Sequence, residues 1–165
     1  MEIVYCTMRT SIFGTIYLAA DHHSLLDISL TSNDWEVFES KHAVTQCPSN
    51  PILVETKKQL DEYFNNVREN FDLPIKLEGT RFQQKVWCEL SKIPYGTTCS
   101  YGDIARAIEN EKAVRAVGQA NRRNPIPIIV PCHRVIGKNR SLTGYSGTRT
   151  DLKEKLLQLE GVVLF

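Results

Sequence analysis

The sequence predicts two structural units in one chain, a small α/β unit followed by a mainly helical one. Three observations carry this. The first thirty residues run in segments rich in Ile, Val, Tyr and Phe that alternate with polar positions, a strand pattern. From about residue 80 the apolar spacing becomes helical, behind Thr80 and Ser100, residue types that cap helices. The charge changes sign between the two: residues 1–75 hold 5 Lys+Arg against 11 Asp+Glu, and residues 76–165 hold 15 against 8. Glu78-Gly79-Thr80 marks the transition, so the expected domains are 1–78 and 79–165.

Residues 2–9 and 12–20 read as strands joined by a short hairpin at Arg9-Thr10-Ser11, and residues 25–30 as a third strand, which together predict a small antiparallel sheet. A short helix is expected over 34–43. Pro51 suits the first turn of a second helix reaching about residue 66, in which Leu53, Leu60, Phe64 and Val67 recur at helical spacing. Residues 71–77 read as a last strand or an extended linker. In the second unit Thr80 caps a helix over 81–91 whose apolar face is Phe82, Val86, Trp87 and Leu90. Pro94 and Gly96 break it. Ser100, with Asp103 three residues on, opens a short helix over 101–108 as a capping box. A small turn separates it from a helix over 113–123, and the pair reads as a helix-turn-helix. The run NPIPIIVPCHRVIG is proline-bracketed and β-branched, hence stiff and extended; a helix over 152–159 closes the chain.

Composition excludes several classes. A hydrophobic content of 42% and a net charge of +1 are those of a folded chain, not a disordered one. The longest apolar run, IPIIVP, is too short to span a bilayer and is broken by proline. Glu2 and Arg9 surround an alternating segment, so no secretory signal is expected. Five cysteines, without a CxxC pair, argue against a disulfide framework and for a reducing compartment. No metal is expected; a composite site of Cys6, Cys47 and His42 is the one zinc arrangement left open. Neither GxGxxG nor a Walker loop is present, so no cofactor is expected.

Two segments carry chemistry. In the helix over 113–123, Ala113, Ala116 and Ala120 share a stripe with Gly118 nearby, while Arg115, Gln119 and Arg122 line the adjacent one. Small residues permit close backbone approach, either to the protein body or to a nucleic-acid groove, and arginines suit phosphates and base edges. With the basic second half, nucleic acid is the favoured reading over a solvated basic face. Cys132, at the end of a stiff segment and beside His133 and Arg134, is either a low-pKa nucleophile or a buried structural cysteine.

PCHRVIG at 131–137 resembles the active-site motif of the O6-alkylguanine-DNA alkyltransferases, the methylated-DNA–protein-cysteine methyltransferases. Around it, in family order, lie FQQKVW at 82–87, IPYGTTCSYGDIA at 93–105, KAVRAVGQANRRNPIPIIV at 112–130, SLTGYSG at 141–147 and LLQLEG at 156–161. The resemblance is specific over 80–161. It implies an RNase H-like first domain and a DNA-binding, alkyl-accepting second domain. By that resemblance Cys132 is the acceptor thiolate, His133 relays its proton through a water, and Glu160 orients the imidazole. Tyr101 donates to guanine N3, Val130, Tyr145 and Ser146 form the base pocket, and Asn124 ties the recognition helix to the cysteine segment. Arg115 fills the stack left by a flipped nucleotide, with Ser100, Ala116, Gln119, Arg122 and Arg123 on the DNA. The implied partner is double-stranded DNA carrying O6-alkylguanine, gripped in its minor groove by a monomer. The implied reaction is irreversible and stoichiometric, with O4-alkylthymine as a second substrate. The implied location is the cytoplasm, at the nucleoid in a prokaryote, or the nucleus in a eukaryote.

Two features depart from the pattern: Asn121 stands where the helix would take an apolar packing residue, and TRTDL makes an irregular entry to the last helix. Three other functions fit parts of the sequence. A lesion binder without transfer would replace the acceptor cysteine, commonly by tryptophan, and Cys132 is present. A transcriptional regulator would read the major groove as a dimer on spaced half-sites. A cysteine hydrolase would need an oxyanion hole and turnover.

Overall fold

The computed structural model describes residues 2–137 and 150–163. The chain divides into two units, Met1–Leu77 and Glu78–Phe165.

The first unit is built on β1 (Ile3–Thr10), β2 (Gly14–Ala20), β3 (Leu25–Ser29), α1 (Ser32–Lys41), β4 (Val44–Gln46) and α2 (Pro51–Phe64). The sheet order is β3-β2-β1-β4, and β4 runs parallel to β1 with Ile3 opposite Val44. The expected antiparallel sheet is therefore mixed. β4 is three residues long and holds one partly buried position, too little to register as a strand without its partner. Residues 71–77 form no strand; they meet β3 at a single parallel bridge, Leu25 to Ile75. The β1–β2 hairpin turns over residues 11–13 and enters β2 at Gly14, whose φ of 72° favours glycine. Side-chain alternation gives each face its cover. On one face Ile3 and Ala19 pack with Trp35 of α1, flanked by Tyr5, Tyr17 and Phe38. The other row, Val4, Cys6, Met8, Ile16 and Leu18, is buried too. α2 packs on β1, β2 and β3, with Leu53, Leu60 and Tyr63 fully buried. Asn50 caps α2 by accepting from the backbone of Ile52 and Leu53.

The second unit comprises α3 (Arg81–Leu90), β5 (Cys99–Ser100), α4 (Tyr101–Ala107), α5 (Val114–Arg122), β6 (Val135–Ile136) and α6 (Thr150–Leu159). Thr80 caps α3 as expected and gains a capping box through Gln83, and the expected capping box of Ser100 with Asp103 is made. Gly79 is pressed against Trp87: a Cβ there would lie 2.6 Å from the indole. The same indole donates from Nε1 to the Ala120 carbonyl at 2.9 Å, seating α5 on α3. α4 and α5 pack together as the expected helix pair. A 3-10 turn over Glu111–Ala113 precedes α5, so the helix starts one residue late.

Candidate active site

Three short elements bring the nucleophile into place. β5 pairs in parallel with β6, Cys99 opposite Val135, which lays the segment after Cys132 against the start of α4. Cys132–Arg134 form a 3-10 turn, not the expected extended strand. The segment before it bends sharply at Ile128, a buried β-branched residue at φ 75°, a costly conformation that the surrounding packing must enforce. Asn124 stabilises this bend from the end of α5: its Nδ2 donates to the Val130 carbonyl at 2.7 Å, and its Oδ1 accepts from the Ile126 backbone at 3.0 Å. Val130 is fully buried.

Cys132 is 2% exposed, and His133 is completely buried. Nε2 of His133 meets a carboxylate oxygen of Glu160 at 2.7 Å, with both side chains out of solvent. Burial holds the His133 imidazolium below its usual range, and Arg134 and Lys153 push the same way against the pull of Glu160. Glu160 sits at the exit of α6, where a Schellman cap closes the helix. Gly161, at φ 84°, donates to the Gln158 carbonyl, and Val162 donates to that of Leu157. A carboxylate at a helix C-terminus is unfavourable, and Arg134 offsets it with a two-pronged pair, Nε and Nη2 each 2.9 Å from a carboxylate oxygen. Nη1 of Arg134 donates to the Ile93 carbonyl at 2.7 Å, and the Gly96 backbone donates to Glu160 at 3.1 Å. Glu160 is thus held from three sides.

Two groups complete the surroundings of the thiol. Tyr101, the first residue of α4, is buried, and burial with the Cys132 charge nearby pushes its hydroxyl up to about 12. Lys153 of α6 is completely buried; its Nζ donates to the Tyr101 hydroxyl at 3.3 Å and lies 5.6 Å from the ring centre. Burial lowers the Lys153 ammonium to about 8, partly countered by Cys132 and Cys99. Sequence reasoning missed Lys153, and it named Arg134 only as a neighbour of Cys132, not as the partner of Glu160. A lysine in an amphipathic closing helix carries no local sign of burial, whereas Arg134 adjoins the Cys-His pair and was legible as a neighbour.

Arg115, Ala116, Gln119, Arg122 and Arg123 all lie exposed on α5 or at its end, while Val117, Ala120 and Asn121 face inward. The alanine stripe is therefore divided between two faces. Ser100 caps α4 with its side chain half-buried. Tyr145 and Ser146 lie outside the described residues. All five cysteines are free, and no group of three metal-binding side chains occurs among the described residues. No described helix is long and apolar enough to cross a membrane.

The chain matches two family models, the 6-O-methylguanine DNA methyltransferase ribonuclease-like domain over residues 3–77 and the DNA binding domain of the same family over residues 81–162. It belongs to the O6-alkylguanine-DNA alkyltransferase family. The constitutive methylated-DNA–protein-cysteine methyltransferase of Bacillus subtilis is 47% identical over 96% of each chain. The crystal structure of Mycobacterium tuberculosis O6-methylguanine methyltransferase superposes with a TM-score of 0.86 at 42% identity, over 96% of this chain and 92% of the other. M. tuberculosis OGT, solved in complex with DNA, gives a TM-score of 0.85 at 41% identity, over 95% and 92%. As an alkyltransferase-family fold, the second unit joins a buried cysteine–histidine–carboxylate set to a helix with an exposed basic face.

Proposed function

We infer that this chain repairs O6-alkylguanine in double-stranded DNA by moving the alkyl group irreversibly onto Cys132. The observation that carries the reading is the buried 2.7 Å contact of His133 with Glu160 next to the buried Cys132, in the same unit as the exposed arginines of α5. A base fixed by a carboxylate raises the fraction of an adjoining thiol present as thiolate. Arg134 compensates Glu160, and Lys153 is a buried cation whose charge interacts favourably with that of Cys132. The Tyr101 oxygen accepts from Lys153, and in this reading its O–H donates to a purine nitrogen.

A base in a duplex is stacked inward, so the target nucleotide is flipped out before the thiolate reaches it. Arg115 takes the vacated place, Ala116 allows close approach in the minor groove, and Ser100, Gln119, Arg122 and Arg123 contact the strands. Val130, Tyr145 and Ser146 form the wall around the flipped base, and O4-alkylthymine is a second substrate of the same pocket. Residues 79–165 hold both DNA and acceptor, residues 1–78 support them, and the protein works as a monomer in the compartment that holds DNA. The product is a thioether, whose sulfur is a poor leaving group, so each molecule acts once and needs no cofactor.

Cys132→Ser tests the assignment. The variant is expected to bind duplex DNA containing O6-methylguanine and to restore no guanine. Guanine restored by the serine variant would move the acceptor to another residue.

A further inference from the structure

Two buried side-chain polar atoms among the described residues have no hydrogen-bonding partner, and both belong to residues that adjoin Cys132. One is Nδ1 of His133, the next residue. The other is Oδ1 of Asn121 on α5, whose Nδ2 reaches the Cys132 carbonyl oxygen at a long 3.4 Å. Asn121 is 1% exposed and His133 0%, so bulk solvent serves neither. A buried acceptor without a donor is costly, and a folded protein that keeps one beside a reactive group invites a functional explanation.

Both atoms have the same hydrogen-bonding sign. Nε2 of His133 is turned to the Glu160 carboxylate, so the neutral ring carries its proton there and Nδ1 is a bare lone pair. Turning the Asn121 amide over would set its oxygen against the Cys132 carbonyl, acceptor to acceptor, so the oxygen is the end left over. Among the described residues, the neighbourhood of the nucleophile therefore holds two lone pairs and no donor for either. A water molecule has two hydrogens to give and keeps its own lone pairs for a third group.

We propose that Asn121 is a positioning residue for thiol activation: its Oδ1 and Nδ1 of His133 together hold one water by its hydrogens, with the water oxygen turned to Cys132 Sγ. The proposal rests on Cys132 being the alkyl acceptor. The Cys132 proton passes to the water as the water passes one of its own to Nδ1, leaving a thiolate and an imidazolium whose Nε2–H stays on Glu160. The thiolate pair then forms the S–C bond while the C–O6 bond breaks. Its electrons leave on guanine, which takes up one proton and so balances the one lost by the thiol. The other charged and titratable groups that bear on this cluster are Tyr101 of α4, Arg122 of α5, Arg134 of the 3-10 turn, and Lys153 of α6, with Cys99 of β5 acting on Lys153. Because Asn121 is part of α5, the helix that bears the exposed arginines also anchors the proton relay.

Asn121→Leu keeps the shape and removes both polar atoms. If Asn121 merely fills space, its replacement by leucine leaves the transfer rate of the folded variant unchanged. The proposal requires a single-turnover rate at pH 7 lowered at least about tenfold in a variant that still unfolds cooperatively. That deficit narrows as the pH is raised, because hydroxide takes the thiol proton without the relay. The same pattern is expected with free O6-benzylguanine, which separates thiol activation from DNA docking. Should the leucine variant fail to fold, Asn121→Ser keeps an acceptor and Asn121→Ala does not. The serine variant must then be the faster at pH 7 and the two must converge at high pH. Equal rates for the wild type and Asn121→Leu, or a deficit that is constant across pH, would overturn the proposal. A wild-type chain that takes up no alkyl group would instead overturn the assignment of Cys132.

Discussion

At the scale of single residues, the active site is a problem in balancing buried charge. Arg134 and Glu160 cancel one another at 2.9 Å, burial lowers the His133 imidazolium, and the buried Lys153 ammonium interacts favourably with the Cys132 charge. The cost of burying that ammonium sets a pH dependence. The native Lys153 titrates at about 8 and the unfolded one near its usual 10.5, so between these values the unfolded chain holds a proton that the native chain has lost. Stability from this group therefore rises with pH across that window, and below it the full cost of the buried charge remains. Lys153→Met is expected to be more stable than the wild type at pH 7, by on the order of 2–3 kcal/mol, with the advantage fading from pH 8 towards 10.5. Denaturant melts at several pH values check this. The same variant is expected to transfer alkyl groups at least about tenfold more slowly at pH 7, since the thiolate loses the favourable charge of the Lys153 ammonium. A variant that is both less stable and equally fast would contradict the charge balance.

At the scale of elements, α5 and the cysteine segment are one mechanical piece. Trp87 seats α5 through the Ala120 carbonyl, Asn124 ties the end of α5 to Val130, and Asn121 reaches Cys132. Arg115, by contrast, projects from the exposed side of α5, and its assigned work is to replace a flipped base. Arg115→Ala should therefore slow repair in duplex DNA far more than reaction with free O6-benzylguanine. Parallel single-turnover assays read the ratio, and equal losses would reject the role in base extrusion. The helices and their caps were legible in the sequence because Thr80/Gln83 and Ser100/Asp103 are local pairs. β4, the 3-10 turn at Cys132 and the left-handed Ile128 were not, because each depends on partners distant in the chain. For the site, Cys132, His133, Glu160 and Asn124 could be named from the motif. The burial of Lys153 and the clamp of Arg134 on Glu160 depend on how α6 meets the cysteine turn, which no local pattern encodes.

For the molecule as a whole, the charge division and the chemistry point to a protein that finds DNA readily and acts once. The nearly neutral total of +1 conceals a second half with 15 basic and 8 acidic residues, the half that bears α5 and Cys132. Such a surplus speeds encounter with a polyanion and makes binding salt-dependent. Nothing in a thioether product regenerates the thiol, so repair capacity equals the number of chains. The most direct measurement is intact mass with peptide mapping after incubation with excess duplex DNA containing one O6-methylguanine. The account predicts one added methyl per chain, on the peptide that contains Cys132, with guanine restored in equal amount and no further turnover. An unchanged mass despite tight, lesion-selective binding would contradict it and make the protein a damage sensor.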